Sequence, residues 1–110
     1  MDFKAIFETI LKKCEELAKS LGWDLADSAT KDIIAFLEKN RVNLRKWSES
    51  LEKSEITNAE FKSLLKGEMD LAEMICLKNA GLSLVKIDEL KAKLVQIIIE
   101  NVLKAFGLNS

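Results

Sequence analysis

The stretch Leu94-Val95-Gln96-Ile97-Ile98-Ile99-Glu100-Asn101-Val102-Leu103-Lys104-Ala105-Phe106 decides the fold class. Its polar residues Gln96, Glu100 and Lys104 share one side of an α-helix, and no long period-two alternation of Val, Ile or Thr suggests a strand. With Lys93 they form one narrow polar strip, and the rest of the circumference is apolar. Such a helix is buried on several sides, so it is expected to be the central helix of a bundle or an interface helix. The three isoleucines at 97–99 cannot all face one neighbour, because successive residues turn by about 100°. The stretch is too short and too polar to span a bilayer, and no membrane partner is expected.

Working backwards, Ala80, Leu84, Ile87, Leu90 and Leu94 keep a three-and-four spacing across Gly81. A helix unbroken from 58 to 106 would be about 70 Å long, more than one small domain can cover. A break near 81–84 is therefore expected, with Gly81 closing one helix and Ser83 or Asp88 opening the next. The preceding helix has the clearest start in the chain. Thr57 followed by Glu60 is a capping box, and Ile56 with Phe61 supplies a hydrophobic staple. Phe61, Leu65, Met69, Ala72, Cys76 and Ala80 then form one stripe, broadened by Leu64, Leu71 and Ile75, so this helix is predicted to run over 58–80. Gly67 lies within it, where glycine costs about 1 kcal/mol against alanine.

Upstream, Phe3, Phe7, Ile10, Cys14, Leu17 and Leu21 alternate steps of four and three, predicting a helix over 2–21 that ends at Gly22. Trp23 follows and is expected to plug one end of the bundle or to pack against the start of the second helix. A second helix is predicted over 24–54, capped by Asp24 or Ser28. Leu37, Leu44 and Leu51 repeat every seven residues there, with Ile33 and Trp47 beside them and Asn40 between. Asn40 either fixes register or oligomeric state on that seam or faces solvent at a helix bend or end. The whole chain, 1–110, thus reads as a single all-α domain: a small antiparallel bundle of four helices (about 2–21, 24–54, 58–80 and 84–106), or three if the last two are continuous.

Composition removes several chemistries. The 110 residues include no His, which excludes a Ser-His-Asp triad, a histidine base and the usual zinc sites. Glu68, Asp70 and Glu73 do not share one helix face, so no metal and no cofactor is expected, and the chain is read as not an enzyme. Cys14 and Cys76 both fall in apolar stripes and read as buried free thiols of a reducing compartment. With no signal-peptide pattern at the start, the expected location is cytoplasmic.

Charge is balanced: ten basic and eleven acidic residues over 1–56, and seven of each over 57–110. That balance argues against nucleic acid as a partner. Lys39, Arg41, Arg45 and Lys46 nevertheless form a modest basic group that is a candidate anion site. The leading expectation is a non-enzymatic protein-protein interaction module, a self-associating regulator, adaptor or assembly component that forms a homodimer and binds a protein partner. It rests on the apolar breadth of the last helix and on the surplus length of the second, about 40 Å when counted from Ser28, against about 30 Å for the first. Ile97, Ile99, Phe106 and Trp47 are the candidate partner-binding residues. The alternative is a nucleic-acid-binding helical dimer that uses the basic group.

Overall fold

The computed structural model describes residues 2–107. Among these are six helices: α1 (Phe3–Lys19), α2 (Trp23–Lys39), α3 (Arg41–Glu52), α4 (Asn58–Leu71), α5 (Ile75–Asn79) and α6 (Leu84–Ala105). They form an all-α bundle measuring 42 × 23 × 22 Å. The expectation of four helices is corrected to six, because two of the predicted helices each break once.

The first break divides 24–54 at Asn40. A straight helix over that range would run about 46 Å, longer than the whole body at 42 Å. Asn40 makes the break inexpensive. It is buried, and both its backbone N–H and its side-chain amide donate to the Phe36 carbonyl at 3.0 Å. Its own carbonyl accepts from Leu44 at 2.8 Å, so one residue closes α2 and opens α3. The surplus length of the second helix, one of the two grounds for self-association, is absorbed inside the chain.

The second break divides 58–80. The capping box forms as expected, Thr57 and Glu60 exchanging bonds of 3.0 and 3.1 Å. The helix then stops at Leu71. Ala72 turns extended and Met74 adopts the left-handed conformation at φ 50°, ψ 51°. Neither glycine nor proline is present at this elbow.

The break expected near Gly81 is present. Gly81 has φ 91°. Its N–H donates to the Lys78 carbonyl, and the N–H of Leu82 donates to that of Leu77, both at 3.0 Å. This is the Schellman arrangement, in which a left-handed residue lets two orphan carbonyls be satisfied. Ser83 then caps α6 by accepting from the amide of Lys86. Ser54 plays the glycine's part after α3, with φ 60°. There Glu55 donates to Ser50 at 2.8 Å and Ser54 to Leu51 at 3.1 Å.

α6 lies at the centre, packed against α1, α4 and α5, while α1 also meets α2. Leu94, Val95, Ile98, Ile99, Val102 and Leu103 are all buried by their own chain. α3 covers α4, and the short α5 sits on α2. Gly67 lies mid-helix where an added Cβ would meet nothing within 4 Å, so the fold itself does not require glycine there. The Ser48 hydroxyl is buried with no partner among the described residues. Trp23, expected as a plug, instead projects from the first residue of α2 at 92% exposure. It stands at the helix start, beyond the stripe that α2 turns toward α1.

Cys14 and Cys76 are both free, the first buried and the second half-buried. Burial, with the Glu15 charge adding to it, pushes the Cys14 thiol from 9.0 up to about 12.

Two outcomes follow from this geometry. Ser54→Gly removes a left-handed non-glycine residue and is expected to raise stability by about 1 kcal/mol, a gain in Tm of roughly 4–8 °C readable by thermal denaturation. Cys14 gives a pH dependence. The unfolded chain releases this proton near 9.0 while the folded chain holds it to about 12. Stability is therefore expected to fall as pH rises through that window. Urea denaturation of Cys14→Ala beside the parent is expected to show a shallower fall in the variant.

Candidate interaction surface at the α4–α5 elbow

The start of a helix leaves backbone amides without intrahelical partners. Met74, the residue capping α5, makes no side-chain cap bond. The acceptor comes from α2 instead. Asp32, only 8% exposed, lies on the buried face of α2 with Ala29, Ile33 and Phe36. Its Oδ1 accepts from the Cys76 N–H at 3.0 Å and its Oδ2 from the Leu77 N–H at 2.8 Å. A carboxylate at a helix N-terminus is also favoured by the backbone dipoles. The Cys76 thiol donates to the same carboxylate. That hydrogen bond first, then desolvation and the Asp32 charge, raise it above its ordinary value, so it is held as the thiol and not as a nucleophilic thiolate.

This latch fixes a groove of about 470 Å³ between α2 and the elbow. Phe36 and Met74, both buried, contribute to its lining. Leu71 and Ile75 line it from either side of the elbow, at 76% and 53% exposure. Leu64, also exposed, lies seven residues before Leu71 and within about 20° of it around the α4 axis. Lys39, Glu68 and Glu73 supply the charged lining, and none of the three is in an ion pair among the described residues.

The residues expected to bind a partner do not gather into one surface. Ile99 is 6% exposed, enclosed by its own chain. Ile97 is half-buried in a depression between α1 and α6, beside Leu17. Phe106 is half-buried in a different one, with Leu51 and Ile56. Trp47 lies against the core from α3. The Asn40 break parts Lys39 from Arg41, Arg45 and Lys46, which stay together on α3, where Arg41 and Arg45 line one depression with Lys4. Lys39 ends α2 on the rim of the elbow groove. The Arg41 guanidinium sits 4.6 Å from the centre of the Phe7 ring, and Arg45 pairs with Glu49 at 3.7 Å. Lys46 is exposed on α3.

No family model, no curated protein and no solved structure matches this chain. Among the described residues there is no group of three or more His, Cys, Asp or Glu placed to hold a metal ion. Nor is any helix there long and apolar enough to cross a membrane.

Asp32, Leu71 and Ile75 are the residues that sequence reasoning missed. Leu71 and Ile75 both broaden the stripe expected of an unbroken helix, but Leu71 shares the exposed face of Leu64, about 120° round α4 from Phe61, Leu65 and Met69, and Ile75 lies past the elbow. Asp32 carried a faint signal, an acidic residue beside Ile33 on the apolar side of α2.

Asp32→Ala leaves two amides without their acceptor and is expected to cost about 2–4 kcal/mol. The loss is expected to be smaller in Asp32→Asn, which keeps one oxygen. Chemical denaturation measures the total, and amide hydrogen exchange at Cys76 and Leu77, faster in both variants, places it at the elbow.

Proposed function

We propose that this chain is a non-enzymatic protein-interaction module whose docking surface is the groove beside the α4–α5 elbow. The observation that carries the reading is the pair Leu71 and Ile75, large apolar side chains at 76% and 53% exposure lining one concavity. A fold that encloses Leu94, Ile98 and Val102 at 1%, 0% and 0% has the means to bury such residues, and here it leaves two of them facing water side by side. Grouped exposed apolar side chains are the ordinary mark of a binding surface.

The partner is read as a different protein. The two grounds for a homodimer, the breadth of α6 and the length of the second helix, are both met within one chain. The nucleic-acid alternative relied on four basic residues acting together. Lys39 lies across the Asn40 break from the other three, Arg41 stacks on Phe7 and Arg45 pairs with Glu49, which gives that alternative less support than the groove gives the module reading. The two free thiols support a reducing compartment, and the cytoplasm is retained as part of this proposal.

A photo-reactive amino acid at position 71, with the same group at the exposed Lys12 of α1 as control, tests the reading in cells of the source organism. The expected result is one adduct specific to position 71. The trapped protein, once identified and purified, is expected to bind the parent chain and to bind Leu71→Glu at least about tenfold more weakly, since a buried unpaired carboxylate costs over 1.4 kcal/mol. Identical adduct patterns at the two positions overturn the proposal. An adduct between two copies of the chain restores the homodimer.

A further inference from the structure

We propose that the elbow groove takes an amphipathic helix of another protein, one whose apolar anchors are flanked by Lys and Arg. This inference rests on the interaction-module reading and adds the chemistry of the partner.

Spacing supports the helical part. Leu64 and Leu71 are seven residues apart on one face of α4, about 10 Å along the axis; Leu71 and Ile75 line the groove together, and Leu64 lies on the exposed α4 face that leads to it. An amphipathic helix presents anchors at i, i+3, i+4 and i+7 over the same distance, which is the helix-in-groove mode of recognition.

Charge supports the basic part. On α4 the charged side chains nearest this line are Glu60 and Glu68, at four-residue steps before and after Leu64. Glu73 follows at the elbow. The groove itself is lined by Glu68 and Glu73 against one cation, Lys39, and these three are without ion pairs among the described residues. The third carboxylate of the lining, Asp32, is turned inward onto the amides of Cys76 and Leu77. Lys62 and Lys66 lie roughly half a turn round α4 from the apolar line, and Lys78 of α5 is not among the groove residues. The open side of the groove is thus apolar with an acidic margin. Complementary charge at such a margin sets orientation and selects against wrong partners.

A second copy of the chain fits less well. Two α4 faces paired about a twofold axis would bring Glu68 toward its own counterpart. The exposed basic face of α3 carries Arg45 and Lys46 but a single exposed apolar residue, Val42.

Two helical peptides of about 18 residues test this, sharing Leu at i, i+3, i+4 and i+7. One carries Lys beside the leucines and the other Glu. Each is titrated into the full chain, with affinity read by fluorescence anisotropy and location by NMR of the Leu and Ile methyl groups. The expected result is binding of the Lys peptide at least about tenfold tighter than the Glu peptide, with shifts at Leu64, Leu71 and Ile75. The preference is expected to shrink with added salt and to reverse in a Glu68→Lys/Glu73→Lys variant. Equal affinities overturn the inference, as does absence of shifts at those methyl groups. Shifts that appear on concentrating the chain without peptide also overturn it and assign the groove to a second copy. A protein trapped at position 71, together with peptides that show no charge preference, leaves the module reading standing and sinks only this one. No trapped protein and no peptide binding sink both.

Discussion

A buried carboxylate on one helix accepting the first free amides of another is the constraint on which the rest of this structure turns. Asp32 brings α5 against α2 with bonds of 3.0 and 2.8 Å. A five-residue helix is too short to be stable alone, so tertiary anchoring must hold it. With α5 fixed there, α4 ends at Leu71 and the chain turns through Met74. The left-handed backbone at Met74 costs about 1–3 kcal/mol, and the Asp32 bonds offset that cost while the buried Met74 and Leu77 side chains add to the gain. Ile75 is exposed at the start of α5 just past that turn, while Leu71 is exposed on the α4 face that it shares with Leu64.

The elbow also moves the site of interest. Apolar breadth on the last helix points, by itself, to a surface awaiting another chain. In the fold, α1, α4 and α5 close around α6, and the breadth becomes the core of one domain. Leu84 and Val85 in the first turn of α6, Val42 of α3 and Trp23 stay in water, and so do Leu71 and Ile75, which line one groove where α2, α4 and α5 meet. Two breaks make this closure possible. Asn40 shortens the second helix to the length of its neighbours, and the elbow returns the third onto α2. Six shorter helices enclose the core that four longer ones would overhang.

Much of the fold was legible because it depends on local chemistry. The capping box at Thr57 and Glu60, the left-handed Gly81 and the cap at Ser83 are short-range devices, and each forms where the residues allow it. The three-and-four spacing of Phe3 to Cys14 and of Ile87 to Leu103 marks buried faces correctly for the same reason. The candidate site was not legible. Leu71 and Ile75 broaden the stripe read for one long helix, but Leu71 lies about 120° round α4 from the buried stripe of Phe61, Leu65 and Met69, and Ile75 falls past a break that periodicity does not reveal. Trp23 was misread for a related cause, since a helix's first residue projects beyond the stripe that its later turns bury.

The sequence by itself determined the helical class, the caps at Thr57, Gly81 and Ser83 (though not the start of α2, where Gly22 stands in place of Asp24 or Ser28) and the absence of histidine chemistry, because helix period, capping and composition are properties of neighbours in the chain. Only the tertiary structure decided where the helices break without glycine or proline, which apolar residues meet water, and that Asp32 serves a helix 44 residues away. Those outcomes depend on contacts between segments distant in sequence, and a local pattern holds no record of which distant backbone amide will need an acceptor.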